Sequence, residues 1–536
     1  MSDPERQADA PVGGRYAKYV LFVLVIVYVL NFIDRQILSI LAEDIKADLG
    51  VTDAQIGFLY GTAFAVFYAV FGIPLGRLAD VWVRRSLIAL GLLFWSAMTA
   101  ASGTARSFGS LAFYRFGVGM GEASASPAAF SMLSDYFPPR LRATVISIYS
   151  SGIYIGAGIG VFLGGLIVDG WNGAYPGGAE APFGLKGWQA AFMAVGLPGI
   201  LLAAWVVTLR EPVRGASEGI VTPAHPAPFA AALQELMAVL PPLTLIALRR
   251  VGAPPRALAV NVAVALLVAT LAWAMTAMLG DAAQWIALGI GVHAAFSWAQ
   301  VLAWRDPPAF ALIFRSPAMR WVLLGFPCIS FVTYGVGFWA PPYFIRVHQV
   351  SAGEVGLWLG LSAAVGGWIG VTLGGVISDR LRDRLPTARL WVSVSAVLAA
   401  VPVAFVVLYA TDLRVAYGAN LLFSILSPMW VGCAATTVAD LVLPRMRALA
   451  SSFYILVNTF IGLALGPYTI GRVSDAVAAS GVDPGVALRT GMLSALGILV
   501  IVVVALALAS RTLAKDEAER VSRARDAGEP DAQGHA

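Results

Sequence analysis

Charged residues are scarce in this chain. Only 12% of its 536 residues are Asp, Glu, Lys or Arg, and 59% are hydrophobic. A soluble domain carries about 25% charged residues, most of them on its surface. The composition therefore excludes an ordinary soluble fold, and it excludes disorder for the bulk of the chain, because disordered segments are poor in apolar residues. A membrane protein needs no charged shell where lipid is the solvent.

Cysteine and histidine are also rare. Cys328 and Cys433 both lie in apolar runs, which predicts two buried thiols and no disulfide framework. No two of the four His residues have the spacing of metal ligands, so we expect neither a metal site nor a cofactor. The sequence has no Gly-x-Ser-x-Gly elbow and no Cys/His nucleophile arrangement, which argues against an enzyme. The net charge is +5, but the Arg residues are scattered through short loops, which argues against a nucleic-acid partner.

Long apolar runs fill most of the chain. A transmembrane helix needs about 20 mostly apolar residues. Fourteen stretches qualify, at about 19–41, 54–76, 86–105, 108–133, 143–168, 187–209, 257–279, 284–304, 319–344, 354–377, 388–410, 414–440, 447–470 and 489–510. The first is long, contains Asp34 and Arg35 and lacks a small-residue cleavage site, so we expect a span there and not a cleaved signal peptide.

Loop charges predict the orientation of these spans. With the N-terminus in the cytoplasm, two of the 36 Lys and Arg residues, Arg35 and Arg115, fall inside spans, and most of the others fall on the cytoplasmic side. The exceptions, on the outer side, are Lys46, Arg106, Lys186, Arg346, Arg414, Arg472 and Arg489. We therefore expect a multi-pass protein of a bacterial inner membrane with both termini in the cytoplasm.

Two short motifs occur twice. The Asp-x4-Arg-x-Arg-Ala motif that starts at Asp135 recurs at Asp440, 305 residues later. The Gly-x-x-x-Asp motif that ends at Asp80 recurs at Asp379, 299 residues later. Both copies have the same order and lie on the same predicted side of the membrane. This predicts two homologous six-helix halves in parallel orientation, with a substrate site at their interface near the bilayer midplane.

The repeat defines the expected fold, an all-α polytopic protein with two pseudo-symmetric six-helix bundles. Its segments are a cytoplasmic N-terminal tail (1–17), the first bundle (18–209), a cytoplasmic connection (210–318), the second bundle (319–510) and a cytoplasmic C-terminal tail (511–536). Two spans are left over. They predict a peripheral hairpin at about 257–304, inserted in the connection, with Gly280 to Ala283 as its turn. If these residues do not cross the membrane, the protein has twelve spans; spans are numbered 1 to 12 below, without the hairpin.

Two segments outside the spans have helical character. The stretch 228–248 of the connection could hold an interfacial helix. The tail from Arg511 is polar and charged, and we expect a short helix there that frays.

The motifs resemble those of the major facilitator superfamily. The segment from Gly76 to Arg85 resembles the family's loop signature between spans 2 and 3, with Val81 where a basic residue is usual. The run Arg115–Ala123 resembles its span 4 motif, and the Gly-rich run Gly152–Gly165 resembles its span 5 motif. The resemblance covers nearly the whole chain except the hairpin.

Within the superfamily, the chain is most similar to the spinster-like transporters. The residues that carry this likeness are Asn31-Phe-Ile-Asp34-Arg35 in span 1 and Glu122 in span 4. The resemblance implies proton coupling and the export of lysolipids or sphingolipids. Anion-symporting facilitators share a similar pattern, which implies small organic anions as the other substrate class.

Four ionisable residues are expected to carry the coupling, because such residues are costly inside a span. Arg115 and Glu122 are seven residues apart, about 10 Å along a helix axis, which is too far for a simple ion pair. Arg35 shares a helix face with Asn31, so we expect both to face the cavity and Arg35 to reach Glu122. Asp34 would pair with Arg115 or line the proton path. A carboxylate in this position can exchange protons as its surroundings change; the alternative is a permanently charged pair that only joins spans 1 and 4.

The repeated motifs predict a cytoplasmic gate. Asp80 could cap the N-terminus of span 11 near Arg447, and Asp379 could do the same to span 5. Within each half, Arg84 could pair with Asp135, and Arg382 or Arg384 with Asp440. Such contacts close one side and break when it opens; the alternative is that the Arg residues only follow the positive-inside rule. The expected gate residues are Gly76, Asp80, Arg84, Asp135, Arg142, Asp379, Asp440 and Arg447.

The expected function combines these features. Candidates for the substrate cavity, several of which could equally be packing residues, are Asn31, Tyr60, Phe64, Tyr334, Trp339 and Asn458. The sequence predicts a monomeric, proton-coupled secondary transporter that moves an amphipathic, lipid-like substrate by alternating access. The alternative is a proton symporter for small organic anions such as sugar acids, in which Arg35 and Arg115 would bind the anion. A membrane-embedded enzyme would need a nucleophile and a base at membrane depth, and a channel would not need duplicated gates.

Overall fold

The computed structural model describes residues 13–176, 181–215, 217 and 225–529. Throughout this part of the chain, every regular element is a helix. Lipid cannot hydrogen-bond to backbone N–H and C=O groups, and a helix satisfies them within a single segment. The all-α fold class is confirmed. The two tail ends and residues 177–180 of the Gly/Pro-rich loop lie outside the described residues.

The helices of the two repeats follow one another in the predicted order. The first repeat comprises Arg15–Leu49, Asp53–Tyr60, Thr62–Val81, Arg84–Ser102, Phe108–Glu122, Ala125–Tyr136, Arg142–Ala174 and Gly187–Val207. The connection contains Pro228–Val239, Thr244–Arg250, Pro255–Leu279, Ala282–Arg305 and Pro307–Phe310. The second repeat comprises Pro317–His348, Ala352–Leu361, Gly367–Arg382, Ala388–Tyr409, Leu413–Leu426, Trp430–Asp440, Arg447–Asn458, Leu465–Ala478, Pro484–Ala495 and Leu499–Asp526.

Thirteen helical segments of the described chain are long and apolar enough to cross a membrane. Both hairpin helices are among them, as the fourteen-span interpretation requires. Span 4 is the expected span that is not among these thirteen segments. It consists of Phe108–Glu122 and Ala125–Tyr136, and the two residues between them, Ala123 and Ser124, keep right-handed helical dihedral angles.

Packing divides the chain into two compact units that do not coincide with the sequence repeats. Unit 1 comprises Met1–Val51, Phe67–Leu236 and Gln349–Ala364, and unit 2 comprises Thr52–Val66, Met237–His348 and Val365–Ala536. The first part of span 2 therefore packs with helices of the second repeat, and the first part of span 8 packs with helices of the first. Each exchange falls near an interruption of its span, at Gly61 in span 2 and at the π-helical turn Ser362–Gly366 in span 8.

The hairpin packs against span 11 within unit 2. Its first helix, Pro255–Leu279, is mostly exposed, whereas its second helix, Ala282–Arg305, buries one face. Trp298 stacks on Phe453 with ring centroids 5.5 Å apart. At the hairpin turn, Tyr468 donates a hydrogen bond to Asp281 at 3.0 Å. The hairpin thus contacts span 11 at both Phe453 and Tyr468.

The segments flanking the hairpin and following span 12 are helical. The expected interfacial helix at 228–248 is two helices, Pro228–Val239 and Thr244–Arg250, that meet at a bend of 110°. The charged tail continues span 12 as one helix to Asp526. Asp516 anchors it, because its carboxylate accepts bonds from the Ser316 hydroxyl at 2.9 Å and the Ala318 N–H at 2.7 Å at the start of span 7.

We expect the hairpin to depend on its tryptophan contact with span 11. Trp298→Ala removes a ring that is 2% exposed and leaves a cavity against Phe453, which should cost about 3 kcal/mol and lower the thermal midpoint of the purified protein. Trp273→Ala is the matched control, since that ring lies in the same hairpin but is 72% exposed. Equal midpoints for the two variants would contradict this packing.

Candidate functional site

The four expected coupling residues are all buried in unit 1. Arg35 of span 1 reaches Glu122 of span 4, with Nη2 and Oε2 2.8 Å apart. The Glu122 side chain is fully buried and that of Arg35 is 9% exposed. Asn31, one turn before Arg35, is also buried and lies within reach of the Glu122 carboxylate. Glu122 is the last residue of its helix and directly precedes the two residues that link the two helices of span 4.

The other two coupling residues meet in a different way from the expected ion pair. Arg115 donates from Nη1 to the backbone carbonyl of Asp34 at 3.2 Å. Asp34 is completely buried, and its carboxylate is not the acceptor of this Arg115 bond. Trp95 and Thr99 of span 3 face this carboxylate. Asp34 and Arg35, although adjacent in sequence, therefore point to separate polar clusters.

Aromatic rings surround the Arg35–Glu122 pair. The Arg35 guanidinium lies 4.7 Å from the Phe32 ring centroid and 5.4 Å from that of Tyr68. Tyr28 packs edge-on against Phe32 and stacks on Tyr149 of span 5 at 4.3 Å. The sequence interpretation missed this cluster. Its signal was the i, i+4 spacing of Tyr28 and Phe32 on the helix face that leads to Arg35.

Most of the predicted cavity residues of unit 2 lie in packed surroundings. Tyr60, Phe64 and Trp339 are at most 2% exposed. Tyr60 stacks on Phe338 at 4.2 Å, and the Trp339 indole donates to the Pro467 carbonyl at 2.8 Å. These three side chains stabilise the helix packing in this conformation.

Two further candidates in unit 2 are only partly covered. Tyr334 of span 7 and Asn458 of span 11 are both half-buried. Asn458 directly precedes the π-helical turn Thr459–Ala464, where the regular backbone pattern of span 11 changes. They are the predicted cavity residues of unit 2 that keep exposed surface.

Arg84 organises the gate motifs of the first repeat. It is fully buried and makes an ion pair with Asp135, as the spacing predicts. Its Nε also contacts Glu211 at 2.7 Å, and its Nη2 donates to the Pro212 carbonyl at 2.8 Å. Asp80 of the same motif is exposed.

The segment after span 6 completes this arrangement, and the sequence interpretation did not assign it a role. Besides Glu211 and Pro212, its Gly215 N–H donates to Asp135 at 3.0 Å. Arg142 donates from Nη2 to the Ser217 hydroxyl at 2.8 Å. The run Arg210-Glu-Pro-Val-Arg214, charged and placed directly after a span, was the available signal.

The second repeat holds its gate motifs through a different set of arginines. Asp440 pairs with Arg382 at 2.7 Å, one of the two predicted partners. Arg389, which the sequence interpretation did not select, bridges Asp440 and Asp379, the latter at 3.2 Å. The C-terminal helix contributes Glu517, 3.5 Å from Arg382. Gly76, Gly375 and Arg447 lie at their expected motif positions, and the cross-repeat contacts of Asp80 and Asp379 stay predictions.

Duplicated six-helix repeats, buried intramembrane charges and paired gate motifs define a secondary transporter of small molecules. The chain matches the Major Facilitator Superfamily over residues 24–467. An MFS-type efflux pump of Mycolicibacterium smegmatis is 25% identical over 481 residues, covering 89% of this chain and 90% of the relative. Human Protein spinster homolog 1 is 27% identical over 475 residues, covering 85% and 72%.

A solved structure extends the likeness to the fold. This structure shows a bacterial homolog to the human lysosomal transporter Spinster in an inward-facing and unoccupied conformation. The two folds align with a TM-score of 0.67 at 27% identity, over 94% of this chain and 99% of that chain. A shorter match, 28% identity over 220 residues and 39% of this chain, is to a probable L-galactonate transporter of Escherichia coli. The chain belongs to the Major Facilitator Superfamily, whose members are transporters and not enzymes, and within it the chain resembles the spinster transporters.

The Arg84 contacts predict a strong effect on stability. Arg84→Ala leaves Asp135 and Glu211, whose side chains are 11% and 18% exposed, without their shared partner. Removing one partner of a buried ion pair costs about 3 kcal/mol or more, so the thermal midpoint in detergent should fall clearly. Arg77→Ala, which removes an exposed Arg of the same motif, should leave it nearly unchanged. A drop of similar size in both variants would show that Arg84 has no special role.

Proposed function

We propose that the protein is a proton-coupled secondary transporter that moves an amphipathic, lipid-like substrate by alternating access. The Arg35–Glu122 ion pair is the observation that carries the proposal. It is buried at membrane depth, it joins two spans, and its two charges are 2.8 Å apart. A carboxylate held in this way is charged while the guanidinium stays close and takes up a proton when the guanidinium moves away.

Coupling follows from this exchange. When spans 1 and 4 shift relative to each other, the distance from Arg35 to Glu122 and the access of water to Glu122 change together. Glu122 can then bind a proton from one side of the membrane and release it to the other. Asp34 and Arg115 form a second polar cluster along the proposed proton path. The Asp34 carboxylate is buried, and Arg115 donates to the Asp34 carbonyl.

The aromatic cluster supports a substrate with an apolar part. Phe32 and Tyr68 lie against the Arg35 guanidinium, and Tyr28 and Tyr149 extend the cluster behind Phe32, which suits a molecule that has a polar head and a hydrocarbon tail. The likeness to spinster proteins agrees with a lysolipid or a sphingolipid as the substrate. This likeness is carried by Asn31, Asp34, Arg35 and Glu122.

In this proposal, the gate motifs lie on the cytoplasmic side of the membrane. The loops that carry Asp80, Asp135, Asp379 and Asp440 face the cytoplasm of a bacterial cell, together with both chain termini. In the state closed to the cytoplasm, Asp80 caps span 11 near Arg447 and Asp379 caps span 5 near Arg142. The transporter acts as a monomer.

The decisive experiment is uptake into proteoliposomes with and without a pH gradient. Glu122→Gln removes the titratable group but keeps its shape, so gradient-driven transport should fall at least about tenfold while exchange without a gradient persists. Glu519→Gln is the control, because that carboxylate is 45% exposed in the C-terminal helix. Undiminished gradient-driven transport by Glu122→Gln would refute the coupling role.

A symporter of small organic anions is the second candidate. The match to a probable L-galactonate transporter favours it, as does the pair of buried guanidinium groups of Arg35 and Arg115. The two candidates differ in which ligand stabilises the folded protein. A lysolipid should raise the thermal midpoint under the first proposal, whereas galactonate should raise it under the second.

A further inference from the structure

A third duplicated element lies at the ends of the spans opposite the gate motifs. The start of span 2, Val51-Thr-Asp-Ala-Gln-Ile-Gly57, recurs 299 residues later as Val350-Ser-Ala-Gly-Glu-Val-Gly356 at the start of span 8. The packing partners of these two segments recur as well. Gly165 and Asp169 of span 5 match Gly471 and Asp475 of span 11 at an offset of 306 residues.

In unit 2, Asp475 holds the start of span 2. Its Oδ1 accepts the Asp53 N–H at 3.0 Å and its Oδ2 accepts the Ala54 N–H at 2.8 Å. These are backbone groups of the first helical turn, which have no partner within their own helix. A carboxylate there also meets the positive end of the helix dipole, so both bonds are charge-assisted.

In unit 1, Asp169 holds the start of span 8 in the same way. Its Oδ2 accepts the Gly353 N–H at 2.7 Å. One turn before each aspartate, a glycine permits the close approach that these bonds need. A Cβ on Gly165 would overlap the Ala352 carbonyl, and one on Gly471 would overlap the Asp53 carbonyl.

The two copies differ in strength. In unit 2, Asp53 also forms a two-bond ion pair with Arg346, at 2.6 and 2.8 Å, and accepts a bond from the Ser474 hydroxyl at 2.7 Å. The residue that matches Asp53 in unit 1 is Ala352, and the one that matches Ser474 is Val168. One copy therefore combines a backbone cap with an ion pair, and the other has the backbone cap without it.

We propose that Asp169 and Asp475 are the two halves of an outer latch that keeps the transporter closed to the outside. Each carboxylate binds the first turn of a span from the other repeat. The spans of different repeats must separate on the outer side before a substrate site between the repeats can open there, so both caps must break in each cycle. The inference rests on the alternating-access cycle proposed above and adds the residues that oppose its outward step.

The first test measures whether the interface opens when the cap is lost. Ala54 is 1% exposed, so a cysteine at this position reports on opening in a protein whose own buried thiols, Cys328 and Cys433, are replaced by alanine. In proteoliposomes, a membrane-impermeant maleimide should label Ala54→Cys at least about fivefold faster when Asp475→Ala is also present, because two charge-assisted bonds are lost.

The matched control is another capping aspartate of the same chain. Asp483 accepts the N–H groups of Gly485 and Val486, at 2.9 and 3.1 Å, but within its own span. When Asp483→Ala is added, Ala54→Cys should be labelled at the same rate as in the protein that keeps both Asp475 and Asp483. Equal labelling of the Asp475→Ala and Asp483→Ala proteins would overturn the proposal. Asp475→Asn, which keeps the side-chain shape, should give the same direction of change even if the alanine variant folds poorly.

The second test locks the weaker copy. A Cβ at Gly353 would lie 3.6 Å from the Asp169 Cβ, which is within the range of a disulfide. The double variant Asp169→Cys/Gly353→Cys should lose transport when oxidised and recover it with reductant. The proposal would be overturned if the oxidised protein transported substrate as fast as the same protein after reduction. Labelling of Ala54→Cys uses neither substrate nor a proton gradient, so a failure of the latch is distinguishable from a failure of proton coupling at Glu122.

Discussion

The ion pair between Arg35 and Glu122 is the interaction on which the proposed mechanism depends. Each charge alone would be very costly in the interior of unit 1, and each is tolerated because the other is 2.8 Å away. A movement that separates these two side chains would leave two buried charges unpaired unless a proton or another charge takes the place of the lost partner. In the proposed mechanism, this requirement couples the helix movement to proton binding at Glu122.

The two repeats share a topology but differ in chemistry. At the offsets of the duplicated motifs, Arg35 corresponds to Tyr334 and Glu122 corresponds to Ser427, so the second repeat has uncharged polar groups where the first has an ion pair. In the second repeat the hydroxyl of Thr333 approaches the Ser427 carbonyl at 3.5 Å. A second difference lies at the starts of spans 2 and 8, where Asp53 forms an ion pair with Arg346 and the residue that matches Asp53 is the uncharged Ala352. In the proposed mechanism, the first repeat therefore contains the titratable groups, and the second repeat can respond to the shape of the substrate.

Some contacts followed from sequence spacing and others did not. The pairs Arg35–Glu122, Arg84–Asp135 and Arg382–Asp440 could be predicted, because helix periodicity or the repeat restricted each residue to few partners. The Trp339 bond to the Pro467 carbonyl could not, since nothing local to Trp339 indicates that span 11 changes its backbone pattern nearby. The role of Arg389, placed between two aspartates, was equally hidden, because several arginines lie within reach along the same loop.

By itself, the sequence determined that the chain consists mostly of long apolar helices, that two motifs recur, and that few charges lie within the apolar runs. These follow from hydropathy and helical period, which are properties of one segment in contact with lipid. Only the tertiary structure decided that spans 2 and 8 each begin in one unit and end in the other, and that Asp169 and Asp475 reach the first turns of those spans. A capping bond depends on the distance between segments hundreds of residues apart, and periodicity gives the face of a helix but not its neighbour.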